Sequence, residues 1–225
     1  GDQPLHQRVD EWIEKKLDGL KLPRSGDAEF LRRVHLDLAG CIPRAEETQR
    51  FLENTSADKR RALIDRLLAA PEFSQRMADL FHVMLMEGRG DNDAWGTFLR
   101  NSFEKNEPWD RIAQSILDPD ADDPKRRGAA YFFTRRLEKV GQQRTDFAGV
   151  TRDVGRLFLG VDLQCAECHD HLLIDDYKQR EFQGLFVVYR NLSIRQGEFP
   201  AVNERPVTAK LEFSSVFEDV KQRTG

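Results

Sequence analysis

The sequence predicts a mainly α-helical fold, and three observations carry that prediction. Apolar residues recur every three to four positions through the first two thirds of the chain. Gly and Pro punctuate the gaps between those segments. A period of two, the mark of a strand, stands out only near the C-terminus. The 225 residues are 39% apolar and 33% charged, which permits a sizeable core under a charged surface.

Each element has its own signal. Leu5, Val9, Trp12, Ile13 and Leu17 keep a helical spacing, and Gly19 follows as a stop. Asp27 stands as a cap before Phe30, Leu31, Val34 and Leu38, and Gly40 ends that run. "CIPRAEETQRFLEN" reads as a turn into a short helix with Pro43 near its start. Ser56 stands as the cap of a fourth helix with a stripe of Leu63, Ile64, Leu67 and Leu68, broken at Pro71. "EFSQRMADLFHVMLMEG" carries all three methionines, with Met77, Leu80, Phe81 and Met84 predicted on its core face. "DAWGTFLRNSFEKNEPWDRIAQSILD" reads as two helices parted at Glu107-Pro108.

Residues 118–128 are a charged loop. Its aspartates lack the spacing and the glycine of a calcium-binding EF-hand loop, so a solvated loop is expected. Asp146 is placed to cap a helix whose buried face is Val150, Val154, Leu157 and Phe158, ended by Gly160. A last helix is built on Phe182, Leu185, Phe186 and Tyr189. Val207, Ala209, Leu211 and Phe213 then alternate with polar residues, which predicts a half-buried strand. The expected division is a helical domain over residues 1–200 and a β appendage, or the start of a following domain, over 201–225.

Charge narrows the function classes. A formal net charge of −4 argues against general nucleic-acid binding, which wants a basic face. No apolar run is long enough to span a bilayer, so no membrane insertion of this segment is expected. The chain opens at Gly1-Asp2 without Met and stops in mid-pattern, so a removed leader and a longer parent protein are expected.

The three cysteines are too few for a disulfide scaffold. Cys41, beside Gly40 and Ile42-Pro43, is expected to be a buried small apolar residue. The other two stand in "LQCAECHDHLL", where Cys165, Cys168 and His169 fit the Cys-x-x-Cys-His signature of covalent haem attachment. Two thiols three positions apart reach the two vinyl groups on one macrocycle edge, and the next residue supplies the proximal imidazole. Zinc is the main rival: Cys165, Cys168 and His171, joined by Cys41 or His82, would make four ligands. A thioredoxin-like dithiol is weaker because the surroundings lack a β-α-β pattern.

Two blocks of the chain carry a resemblance. "EFLRRVHLDLAGCIPRAEETQRFLEN" with "DKRRALIDRLLAAPEF", and "TRDVGRLFLGVDLQCAECHDHLLIDDYKQREFQGLF", resemble the planctomycete cytochrome c-like domain of the second type, a domain of unknown function. The likeness spans roughly residues 5–220. Cys41 stands where that family usually has a large apolar residue, and Leu172 where it commonly has Pro or Lys. The resemblance implies export, one covalent haem c and membership of a larger multidomain protein. It implies no known reaction.

An iron held by His169 has a second face to fill. No methionine follows the motif, so Met77, Met84, Met86, His82 and His35 are the candidates, with a methionine of the Met84/Met86 stretch or an open position preferred. His171 stands too close to His169 to reach that face. It is expected to bond a haem propionate, line a cavity, bind a second metal or simply cap a turn. Arg152, Arg156 and Lys178 are propionate-partner candidates, because carboxylates favour charge-assisted bonds. The reading is thus an extracytoplasmic, periplasmic-type electron-transfer domain. Its partner would be a redox protein or an adjoining domain. The alternatives are a haem enzyme with an open iron face and a zinc-structured interaction module.

Overall fold

In the computed structural model, residues 3–20, 23–120, 122–138, 145–190, 192–195 and 201–204 are described. The fold is mainly α, as the periodicity predicts, and the chain divides into two compact units, Gly1–Ala69 and Ala70–Gly225. The expected boundary at 200/201 adjoins residues 196–200, and the expected strand at 207–213 lies outside the described residues as well.

The first unit holds α1 (Leu5–Lys16), α2 (Asp27–Leu38), α3 (Ala45–Glu53) and α4 (Lys59–Leu68). Its core joins Leu31, Phe51, Leu63 and Leu67. The fourth helix starts at Lys59, with Asp58 rather than Ser56 at the cap position. Asp27 is the first residue inside α2 rather than its cap. Its carboxylate instead takes Lys59 at 2.6 Å and Arg60 at 2.7 Å, which ties the start of α4 to the start of α2. The bond from Lys59 and then that from Arg60 hold the Asp27 carboxyl below its usual range. The apolar stripe of α1 buries nothing: Leu5, Val9, Trp12 and Ile13 are all exposed. Cys41 is exposed too, against the expectation of burial. It sits in a bend just past Gly40, outside the α2 stripe that points into the core.

The second unit holds α5 (Pro71–Met86), α6 (Asp93–Glu104), α7 (Trp109–Leu117), α8 (Tyr131–Leu137), α9 (Phe147–Phe158) and α10 (Gln179–Tyr189). Two short strands, β1 (Leu192–Arg195) and β2 (Ala201–Glu204), pair antiparallel with Leu192 opposite Glu204 and Arg195 opposite Ala201. Pro71 opens α5, where its missing N–H costs nothing. Asn92 caps α6, its Oδ1 accepting from Ala94 N at 3.0 Å and Trp95 N at 3.2 Å. Asp146 caps α9 as its position predicts, accepting from Gly149 N at 2.8 Å.

The core of this unit is aromatic. Trp109 stacks on Phe158 with ring centroids 6.2 Å apart, and Phe158 meets Phe132 edge-on at 5.4 Å. Phe132 then meets Phe133 at 5.2 Å, and Phe133 meets Tyr189 at 5.6 Å. The core face of α5 differs from the predicted one. Ser74, Ala78, Leu85 and Met86 are buried, whereas Leu80 and Met84 are exposed. The stripe is rotated because α6 packs along α5, and Trp95 fills the site beside His82.

One arginine lies within that core. Arg136, on α8, has a side chain 2% exposed. Its guanidinium donates to Asp153 Oδ2 at 2.8 Å, Leu85 O at 2.7 Å and Phe132 O at 3.2 Å, and lies 3.8 Å from the centre of the Phe132 ring. Burial pushes its pKa down to about 10, with the bond to Asp153 opposing that shift, so the group stays charged at neutral pH. Arg89 and Arg156 complete the cluster on Glu87 and Asp153.

Candidate functional site

The Cys-x-x-Cys-His segment follows α9 directly. Gly160 turns the chain at φ +68°, a conformation glycine adopts without steric cost. Leu163 then enters a small apolar cluster with Ala166 and Phe182. Ala166 is wholly buried, and Cys165–Glu167 form one turn of 3₁₀-helix around it. In that geometry residues three apart eclipse each other. Cys165 and Cys168 therefore fall on one side of the turn, and both are exposed free thiols. The burial of the single methyl at Ala166 is what turns both sulfurs outward.

Partners further along the chain brace the turn. Gln179 Nε2 donates to Cys168 O at 2.9 Å. Asp170 Oδ1 accepts from Gln179 N at 2.8 Å and so caps the start of α10 from nine residues away. Glu167, the residue before Cys168, pairs with Arg152 of α9. The donor set is thus fixed at both ends to helices that share the second unit's core.

The hydrogen bonds of the imidazoles separate their roles. His169 Nδ1 lies 2.7 Å from Asp170 O. A carbonyl only accepts, so Nδ1 carries the proton and Nε2 keeps its lone pair on an exposed side chain. That is the arrangement a metal-binding imidazole uses, with the distal nitrogen donating to a carbonyl and the near one bare. His171 is arranged the other way. Its Nδ1 accepts from Leu173 N at 3.1 Å and Ile174 N at 3.0 Å, which puts the proton on Nε2. His82 Nδ1 likewise accepts from Trp95 Nε1 at 3.1 Å. In the first unit, His35 is 4% exposed, with Nε2 3.3 Å from Glu47 Oε1 but without hydrogen-bond alignment.

The other predicted residues fall in varied places. Arg152 adjoins the motif through Glu167. Arg156 instead pairs with Glu87 at 2.8 Å and Asp153 at 3.2 Å, within the Arg136 cluster. Lys178 lies 3.8 Å from Asp170 and 3.9 Å from Asp175. Met86 is wholly buried, its sulfur 3.9 Å from Arg136 Nη1, whereas Met84 is 46% exposed. Among the described residues, no three His, Cys, Asp or Glu side chains gather as a metal site. Among those residues also, no helix is long and apolar enough to cross a membrane. The burial of Ala166 and the bonds that Gln179 makes to Asp170 and Cys168 are not legible in the sequence, although Asp170 stands out there as an acidic neighbour of His171. Asp170 at the head of a helix-bound loop carried a signal, but its nine-residue reach to α10 gave no periodic cue.

Fold and site together define a mainly helical domain that presents a Cys-x-x-Cys-His turn on its surface. The chain belongs to the family PSCyt2, described as "Protein of unknown function (DUF1549)", whose pattern matches residues 8–193. Comparison with curated proteins and with solved structures finds no match.

Proposed function

We propose that this chain carries one covalent haem c and serves electron transfer outside the cytoplasm, in a periplasmic or equivalent compartment. Cys165 and Cys168 are the thioether anchors and His169 is the proximal ligand. The observation that carries the reading is the pairing of two outward thiols on one 3₁₀ turn with an imidazole whose Nδ1 is bonded to Asp170 O. In attachment, each thiol adds across one vinyl group. A carbon–sulfur bond forms, the thiol hydrogen goes to the neighbouring carbon, and no net electrons are exchanged.

The bound group supplies a one-electron iron couple. The chain's own residues do the rest. Asp170 O fixes the ring of His169, Gln179 holds the backbone of Cys168, and Arg152 neutralises Glu167 beside the thiols. Of the two methionines expected at the sixth position, Met84 is the one whose side chain is open to a group outside the core. The exposure of the turn suits exchange with a redox partner protein or an adjoining domain. Compartment follows from the chemistry of attachment, which dedicated machinery performs after export.

The test is maturation of the chain in a haem-competent exporting host. The intact mass should exceed that of the bare polypeptide by one haem, and the colour should stay with the protein in acidified organic solvent. Cys165→Ala or Cys168→Ala should leave one thioether and shift the reduced pyridine spectrum accordingly. Stoichiometric zinc without haem in that material would overturn the proposal.

A further inference from the structure

His171 and the three residues after it form a feature that the anchoring chemistry does not use. Leu172 is 85% exposed and Leu173 is 91% exposed, with Ile174 also open at 42%. Three consecutive apolar side chains in water are an unfavourable surface on a chain with so many charges. A leucine side chain is stabilised by leaving water, so two left open in a fixed place call for something that covers them.

The place is fixed. His171 Nδ1 accepts from the backbone of both Leu173 and Ile174, as an asparagine side chain does in an Asx turn. His171 N donates to Tyr177 O at 2.8 Å, and Tyr177 N to Ile174 O at 3.2 Å. The imidazole also meets the Tyr177 ring edge-on, with centroids 5.9 Å apart. Residues 171–177 are therefore a closed loop, held by backbone bonds at its base and by one imidazole within it, and the leucines stand at its tip. Leu173 is four residues from His169, so even a fully extended link would keep them within about 14 Å, the breadth of one macrocycle.

We propose that Leu172, Leu173 and Ile174 form an apolar rim that packs on the macrocycle anchored at Cys165 and Cys168, and that His171 is the positioning residue that holds this rim. The inference rests on the haem reading above and deepens it. It assigns His171 no ligand role, because the one lone pair of Nδ1 is shared by two N–H groups of the loop backbone and Nε2 carries the proton. The occupant is the macrocycle because it is large, flat and apolar, and because its two covalent anchors lie within a few residues of the tip. The rim acts by excluding water. The oxidised iron carries one more positive charge than the reduced iron, and water stabilises the higher charge. An apolar cover therefore raises the reduction potential.

The experiment uses haem-loaded full chain, with loading checked by intact mass before any other reading. Midpoint potential and the ligation spectrum are measured for the wild type, His171→Ala, His171→Asn and Leu172→Ser/Leu173→Ser. His171→Ala and the double serine variant should shift to a lower potential. His171→Asn should keep the wild-type potential, because its Oδ1 can accept the same two N–H groups. All four should share one ligation spectrum. An unchanged potential in both His171→Ala and the double serine variant would overturn the rim. So would a changed ligation spectrum in His171→Asn, which would make the imidazole a ligand. If the wild type carries no haem, the proposed function falls first, and the mass alone reveals that. Concentration-dependent self-association of the haem-loaded wild type, abolished in the double serine variant, would give the leucines a second copy as their cover and overturn the macrocycle as occupant.

Discussion

Arg136 and the Cys165–His169 turn belong to the same unit and treat their polar groups in opposite ways. Arg136 is buried with its donors spent on a carboxylate and two carbonyls. The turn leaves two thiols and an imidazole facing water and buries only the methyl of Ala166. The first arrangement suits a charge that must hold helices together, because an unpaired buried charge is among the costliest defects a fold can carry. The second suits groups that must meet something from outside, because a buried thiol is inert. The contrast separates scaffold from chemistry within one unit.

The largest expected effect strikes the scaffold. Arg136→Met leaves Asp153 without its closest partner and should cost about 3–5 kcal/mol, read from urea denaturation of the bare chain. Asp153→Leu placed on top should recover part of that loss, since the uncompensated charge is then gone. A loss below about 1 kcal/mol would mean that Arg89 and Arg156 already satisfy Asp153.

Within the turn, the one buried atom is the sensitive one. Ala166→Leu forces three extra carbons into the cluster of Leu163 and Phe182, and overpacking of this kind should cost about 1–3 kcal/mol. The turn should move as a result, and haem loading should fall although no anchoring residue has changed. Full loading with wild-type stability would show that the cluster does not set the direction of the thiols. A smaller effect belongs to the scaffold again. Asn92→Ala removes the acceptor for Ala94 N and Trp95 N and should cost about 1 kcal/mol, measured as a lowered denaturation midpoint.

Legibility in the sequence divides along the same line. Val150, Val154, Phe182 and Tyr189 recur with the helical period, and the structure buries each of them. Pro71, Asp146 and Gly160 mark helix ends by local chemistry, which a sequence displays directly. The spacing of Cys165, Cys168 and His169 is equally local. What escaped depends on contacts distant in the chain. The α5 stripe is rotated by packing against Trp95, so Met86 faces the core and Met84 does not. Arg136 is surrounded by polar neighbours and followed by Leu137, and nothing in its own segment signals that Asp153 and Leu85 O await it. The usual preference of cysteine for burial predicts a buried Cys41, and a bend past Gly40 overrides that preference. The role of His171 rests on two backbone donors in a loop, which carries no period at all.

The smallest expected effect is the sharpest test of the contrast. Cys165 and Cys168 are exposed, and neither thiol side chain joins the apolar cluster that Ala166 completes. Exchange of a sulfur for an oxygen at an exposed position removes no packing and leaves no buried polar group unpaired. Cys165→Ser/Cys168→Ser in the bare chain should therefore change stability by no more than about 0.5 kcal/mol, measured by urea denaturation under reducing conditions. The same substitution should abolish covalent loading entirely, so stability and loading would respond independently. A structural role predicts the reverse coupling: the bare double variant would lose more than about 1 kcal/mol, and its loading defect would follow from misfolding. Near-equal denaturation midpoints for the bare wild type and the double variant, with haem on the wild type alone after maturation, would place these thiols outside the forces that fold the chain.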